Sequence, residues 1–156
     1  MPTVANTGYR SPSYASPRYR NPDVSLPANF PKKIGVTHTR GLPSQPYIAM
    51  TFDDGPHKTN TPRLLDILRQ RNIKATFYVI GRNVDMYPHI TRRIVAEGHE
   101  IGNHTYTHAN LKTLSDSKVR GEMNRTRDSI IRATGVQPRT MRPPYGAIYQ
   151  RQREMI

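Results

Sequence analysis

With 156 residues the chain has room for one domain, and a hydrophobic fraction of 35% is low for a compact fold of that size, so part of it is expected to lie outside the core. No run of 18 apolar residues exists, which excludes a membrane-spanning helix, and the absence of cysteine excludes a disulfide framework and a thiolate metal site. The formal net charge of +13 favours an anionic partner, but the basic residues form no block of five and no aromatic-interleaved stripe, so they read as a solvated surface with no specific nucleic-acid site.

Residues 1–46 hold eight of the fourteen prolines and six basic side chains against Asp23 alone, with no apolar side chain recurring at a helix or strand period. Such a segment buries too little surface to offset its ordering entropy. It is expected to be a Pro-rich basic arm or linker, disordered from Met1 to about Phe30. Tyr9, Tyr14 and Tyr19 recur every five residues within it, as in a low-complexity tail. Met1 to Asn6 shows neither the basic nor the apolar region of a signal peptide, which leaves the cellular location open.

From Tyr47 the texture changes, and residues 47–156 are expected to form the folded domain. Tyr47 to Phe52 is a short apolar run rich in strand formers, ending in Asp53-Asp54-Gly55-Pro56, which predicts a buried strand entering a turn. Thr61 before Pro62 predicts a helix N-cap, and Leu64, Leu65, Ile67 and Leu68 give the helix an apolar face to about Arg71. Ala75 to Ile80 predicts a second strand stopped by Gly81. Tyr87 to Glu97 carries Ile90, Ile94 and Val95 at helical spacing, with Gly98 as its cap. Glu100 to Asn103 predicts a third strand delivering His104, and Ser115 and Gly135 bracket a long helix. Thr140 to Arg142 predicts a fourth strand broken by Pro143-Pro144, and Arg151 to Ile156 reads as the opening turns of a further helix.

Strands alternating with helices imply an α/β fold with parallel pairing and right-handed crossovers, in which the chemistry collects at the C-terminal ends of the strands. Asp53-Asp54, His104 with His108, and Arg142 to Tyr145 all fall at such ends.

Two histidines four apart among turn glycines put two imidazoles on one side of a tight turn, as a divalent ion requires. Taken alone, such a pair is more often a surface pair than a metal site. The aspartate pair changes that reading, because adjacent carboxylates repel and a bound cation offsets the repulsion. Neighbouring strand side chains point to opposite faces, so a turn at Gly55 is expected to let both carboxylates reach one site, one as ligand and one free as a base. An ion held by one carboxylate and two imidazoles keeps positions open for water and substrate, lowers the pKa of water toward about 7 and polarises a carbonyl oxygen. That is equipment for hydrolysing an acyl bond. Arg142 fits a charge partner for the free aspartate. Tyr145 carries the first backbone N–H after it, since Pro143 and Pro144 have none, and that N–H could face an oxyanion.

Four stretches, Thr51 to Pro56, Ala75 to Gly81, Gly98 to His108 with its His-Thr-x-x-His core, and Arg142 to Gly146, together resemble the polysaccharide deacetylases with a NodB homology domain, carbohydrate esterase family 4. They cover about residues 47–149. The resemblance implies Asp53 as general base, Asp54, His104 and His108 as ligands of a divalent metal, usually zinc, Arg142 as the residue orienting Asp53, and the Tyr145 N–H in an oxyanion hole. It further implies removal of acetyl groups from N-acetylated or O-acetylated polysaccharide such as peptidoglycan, chitin oligomers or xylan. That substrate class implies the cell envelope or the exterior.

The family pattern carries two more motifs downstream, the last a leucine-histidine pair whose histidine is the general acid, and neither occurs in residues 1–156. His38, His57, His89 and His99 do not match that role, and His57 reads as a surface or substrate-facing residue. The expected architecture is therefore the N-terminal portion of a distorted (β/α)7-type NodB barrel, about four β/α units, with an open sheet edge available for self-association. Two alternatives stand beside the deacetylase: a catalytically impaired glycan- or polyanion-binding module, and a related hydrolase of cyclic amides. Because general acid catalysis is worth about 10²- to 10⁴-fold, the 156-residue chain is expected to turn over amide substrates poorly and esters less so. Acetate release from chito-oligomers equal to that of a longer chain would contradict this.

Overall fold

In a computed structural model of the protein, Thr37 and residues 48–156 are described; the arm expected over residues 1–46 otherwise lies outside the described residues. Strands β1 (Thr51–Gly55), β2 (Thr76–Val79) and β3 (Glu100–Asn103) form a parallel sheet in the order β1-β2-β3. Helices α1 (Asn60–Gln70), α2 (Gly81–Met86), α3 (Pro88–Ala96), α4 (Asp116–Thr134) and α5 (Gln150–Arg153) connect and flank it. Leu65 and Leu68 of α1, Phe77 and Val79 of β2, Val84, Ile94, Ile101 and Ile130 form the main core, each at most 3% exposed. Leu111, Val119 and Ile148 form a smaller second core under α4 and α5. No helix among the described residues is long and apolar enough to cross a membrane.

Several boundaries differ from the sequence reading for identifiable reasons. β1 begins at Thr51, not Tyr47, because its partner β2 begins at Thr76 and the register pairs Thr51 with Thr76; Ile48, before it, is 88% exposed. The strand runs on through Asp53 and Asp54, with a bulge between Phe52 and Gly55. Helix α1 starts at Asn60, ahead of the expected Thr61 cap. The His57 ring takes the capping role, with Nδ1 accepting the N–H groups of Thr59 and Asn60 at 3.2 Å each, while the Thr61 hydroxyl accepts the His57 N–H at 2.8 Å. His57 is thus exposed, as expected, but structurally employed.

Gly81 opens a helix and does not merely stop a strand. A Cβ there would lie 2.5 Å from the Tyr106 ring and 2.8 Å from the Thr126 hydroxyl, so only glycine lets α2 approach the loop after β3. The expected fourth strand is reduced to one parallel bridge, Asn103 with Met141, in which Asn103 N–H donates to the Thr140 carbonyl and Arg142 N–H to the Asn103 carbonyl, both at 2.9 Å. Pro143 has no N–H with which to continue the ladder.

His99 precedes β3, is 3% exposed and accepts the Ala75 N–H on Nδ1 at 3.2 Å, so its proton sits on Nε2, which has no partner among the described residues. Burial, reinforced by the charge of Lys74 and opposed by Glu97, holds its pKa below the ordinary histidine value. The unfolded chain then binds a proton at pH values where the folded one does not, and this contribution to stability is lost as pH falls below about 6.5. Replacing His99 by Asn, which keeps an acceptor for Ala75 without titrating, is expected to flatten the fall in melting temperature between pH 7 and 5.5. Equal slopes for parent and variant would contradict the assignment.

Candidate metal centre

Asp54 occupies the bulge at the end of β1 with φ of +68°, a left-handed conformation that aspartate tolerates better than most side chains. The Asn83 side-chain amide, on α2, donates to the Asp54 carbonyl at 2.9 Å and fixes that peptide. The turn expected at Gly55 is therefore made by Asp54 itself: Gly55 has no left-handed φ, and a Cβ on it would meet only ordinary contact. The bulge sends the two carboxylates different ways. Asp53 turns to Arg142, and Asp54 turns to the histidines.

His104 follows β3 directly, and its N–H donates to the Val79 carbonyl at 3.0 Å, as if the strand ran one residue further. Its ring is buried, and Nδ1 lies 2.7 Å from the Arg142 carbonyl. A carbonyl only accepts, so the proton is on Nδ1 and the lone pair on Nε2, which faces Asp54 Oδ1 at 3.4 Å. His108, with φ of +63°, presents its Nε2 to the same oxygen at 3.2 Å, and its ring meets the Tyr145 ring edge-on at 4.9 Å between centroids.

The donor set fits a divalent ion. One ligand atom each from Asp54, His104 and His108 lies within 4.8 Å of the others. Bonds of about 2.0–2.1 Å in a tetrahedron place ligand atoms roughly 3.3 Å apart, and the two nitrogen–oxygen separations of 3.2 and 3.4 Å bracket that edge. The His104 tautomer, set by a backbone carbonyl, is the one such an ion needs.

Asp53 Oδ1 accepts from Arg142 Nη1 at 2.7 Å, and the same nitrogen reaches the Thr51 hydroxyl at 3.0 Å. The guanidinium lies over the Tyr78 ring, 4.2 Å from its centroid. Both partners of this ion pair are more than a third exposed by side chain, 38% and 35%, so as a stabilising contact it is worth at most about 1 kcal/mol. Its effect is orientation: one carboxylate oxygen is taken and the other has no partner among the described residues. Asp53, Asp54, His104, His108, Arg142, Pro143, Tyr145 and Gly146 line one cleft of about 590 Å³. Every site residue expected from sequence thus lines a single cavity.

The sequence reading missed the residues that hold these in place. Thr51 is the most accessible of them, since it lies two positions before Asp53 and shares its face of β1. Asn83 and Glu122 sit on helices, and nothing in their local sequence points at the site.

A parallel α/β sheet thus gathers one carboxylate and two imidazoles at its strand ends, a set capable of coordinating a divalent metal. Residues 40–156 match the polysaccharide deacetylase family, and the chain belongs to that family. It is 46% identical over 105 residues to a peptidoglycan-N-acetylglucosamine deacetylase of Bacillus cereus, covering 67% of this chain and 38% of that protein. A crystal structure of the Bc1960 peptidoglycan N-acetylglucosamine deacetylase superposes with a TM-score of 0.66 at 45% identity, over 67% of this chain and 49% of that one. A carbohydrate esterase family 4 pseudoenzyme from Bacillus anthracis superposes with a TM-score of 0.70 at 34% identity, over 74% and 41%. The chain therefore spans less than half the length of these relatives.

Purified protein supplied with a divalent first-row metal is expected to retain one ion per chain, and His104→Ala or Asp54→Ala to abolish tight retention. Metal analysis after gel filtration measures it. Undiminished metal in His104→Ala would mean that the histidines are structural.

Proposed function

We propose that the chain carries the hydrolytic centre of an enzyme that removes acetyl groups from N-acetylated or O-acetylated polysaccharide. The observation that carries this reading is the division of labour between adjacent aspartates: Asp54 converges with His104 and His108, while Asp53 is held apart by Arg142 with one oxygen free. A pseudoenzyme with the same fold means that the fold alone does not imply turnover, so the reading rests on these side chains.

When bound by Asp54, His104 and His108, a divalent ion supplies Lewis-acid polarisation of an acyl oxygen and acidifies water. Zinc is the proposed ion, supported by the two borderline imidazole donors beside one carboxylate and by their near-tetrahedral spacing. Asp53 is the proposed general base, taking the proton of the attacking water on its free oxygen, and Arg142 keeps that carboxylate aimed by holding its other oxygen. Tyr145, with φ of +59°, offers a backbone N–H that has no acceptor among the described residues, whereas Gly146 and Ala147 donate to the Pro143 and Pro144 carbonyls. That free donor at the cleft is the proposed oxyanion contact.

The substrate class rests on relatives named as deacetylases of peptidoglycan N-acetylglucosamine, chitooligosaccharide and chitin. It supports a location at the cell envelope or outside the cell. The parallel sheet with its flanking helices supports a partial NodB-type barrel, and the open edge of such a partial sheet is a proposed site of self-association.

Acetate release from chito-oligomers and from an aryl acetate ester is the test. Asp53→Asn is expected to lower kcat by about 10²- to 10⁴-fold on the better substrate while leaving metal content unchanged. Parental rates in Asp53→Asn would remove it as the base, and hydrolysis of cyclic ureides in place of acetylated glycans would overturn the substrate class.

A further inference from the structure

The loop that joins the two histidines, residues 104–108, has no backbone hydrogen bond of its own among the described residues, and it holds two left-handed residues, Thr105 at φ +65° and His108 at +63°. Its shape is imposed from outside. The Thr105 and Tyr106 carbonyls accept from the N–H groups of Gly81 and Arg82, at 3.0 and 3.1 Å. The Thr105 N–H donates to the Asn103 side chain at 2.9 Å, and Asn103 in turn donates to the Met123 carbonyl of α4 at 2.9 Å.

Two further donors of the loop, the successive N–H groups of Tyr106 and Thr107, converge on one oxygen of Glu122 at 2.8 and 2.7 Å. Consecutive backbone N–H groups aimed at one point form a concave cradle for an anion, and here the anion is a side chain. The second Glu122 oxygen accepts the Thr107 hydroxyl at 3.0 Å, so the carboxylate is gripped at both ends and cannot rotate away. One turn further along α4, Arg125 lies over the Tyr106 ring, 3.6 Å from its centroid. Three hydrogen bonds, all with an ionised acceptor, thus end on the stretch whose path fixes the separation and direction of the His104 and His108 rings.

We propose that Glu122 is a positioning residue of the metal centre, setting the His104–His108 geometry by holding the loop between them. The inference rests on the reading of Asp54, His104 and His108 as metal ligands. Nothing in it requires Glu122 to touch the ion or the substrate.

Zinc affinity, measured on the full 156-residue protein by competition with a chromophoric chelator, separates positioning from simple stabilisation, with the metal-free melting temperature read in parallel. Loss of a partner outside the ligand set typically weakens binding about 10- to 100-fold, and Glu122→Ala is expected to fall in that range. Glu122→Gln keeps one oxygen for both N–H groups and an amide for the Thr107 hydroxyl, so it is expected to stay within about threefold of the parent. Leu68→Ala, a core change far in role from the loop, is expected to lower the melting temperature without altering zinc affinity. Should Glu122→Ala fail to fold, Glu122→Asp, one methylene shorter, is read the same way and is expected to weaken binding. Parental zinc affinity in Glu122→Ala or Glu122→Asp overturns this inference and leaves the metal centre standing. A parent protein that binds no zinc overturns both.

Discussion

Arg142 ties the two halves of the site together through opposite ends of one residue. Its carbonyl accepts the His104 Nδ1 proton and so fixes which imidazole nitrogen faces Asp54; its guanidinium holds Asp53 and Thr51 and rests on Tyr78. Its N–H completes the single bridge to Asn103 at the end of β3. The residue can do all of this because Pro143 stops the strand pairing immediately after it, which leaves the Arg142 carbonyl free of any ladder. A shift of Arg142 would therefore disturb the ligand and the proposed base at once. Lysine would not replace it in full, since an ammonium lacks the flat face that stacks on Tyr78.

Left-handed backbone recurs wherever the cleft is built: Asp54, Thr105, His108 and Tyr145 all have φ between +59° and +68°. Each such non-glycine residue costs of order 1 kcal/mol or more, and it persists only where neighbours over-determine it. Asn83 does so for Asp54, and Glu122, Gly81 and Asn103 do so for the histidine loop. The free energy set aside in these conformations comes from the core beneath, where Phe77, Val79, Val84 and Ile101 lock β2, α2 and β3 together. Rigidity in the core and strain at the rim are thus two aspects of one design.

Much of this was legible in the sequence, and for definite reasons. The period-two runs at Phe77 and Val79 and the helical spacing of Ile90, Ile94 and Val95 report burial directly, so β2 and α3 were placed within a residue or two. Asp53, Asp54, His104, His108, Arg142 and Tyr145 share one cleft because all lie at strand ends, which the alternation of strands and helices made visible in the sequence. Helix α2 was missed because its start depends on Tyr106 and Thr126 crowding Gly81, contacts that no local pattern reveals. The left-handed turn was assigned to Gly55 when Asp54 makes it, because composition favours glycine there and only the Asn83 contact shows otherwise. Glu122 escaped notice for the same reason: its partners Tyr106 and Thr107 are about four helical turns away in sequence, and mid-helix glutamates are ordinarily solvated.

The central claim is that the Nε2 atoms of His104 and His108 and an oxygen of Asp54 converge on one ion. X-ray absorption at the metal edge of the loaded protein tests it most directly. Two imidazole nitrogens and one carboxylate oxygen at about 2.0–2.2 Å are expected in the first shell, with the outer-ring imidazole signal halved in His108→Ala. A first shell of oxygens alone, or an imidazole signal that His108→Ala leaves unchanged, would contradict it.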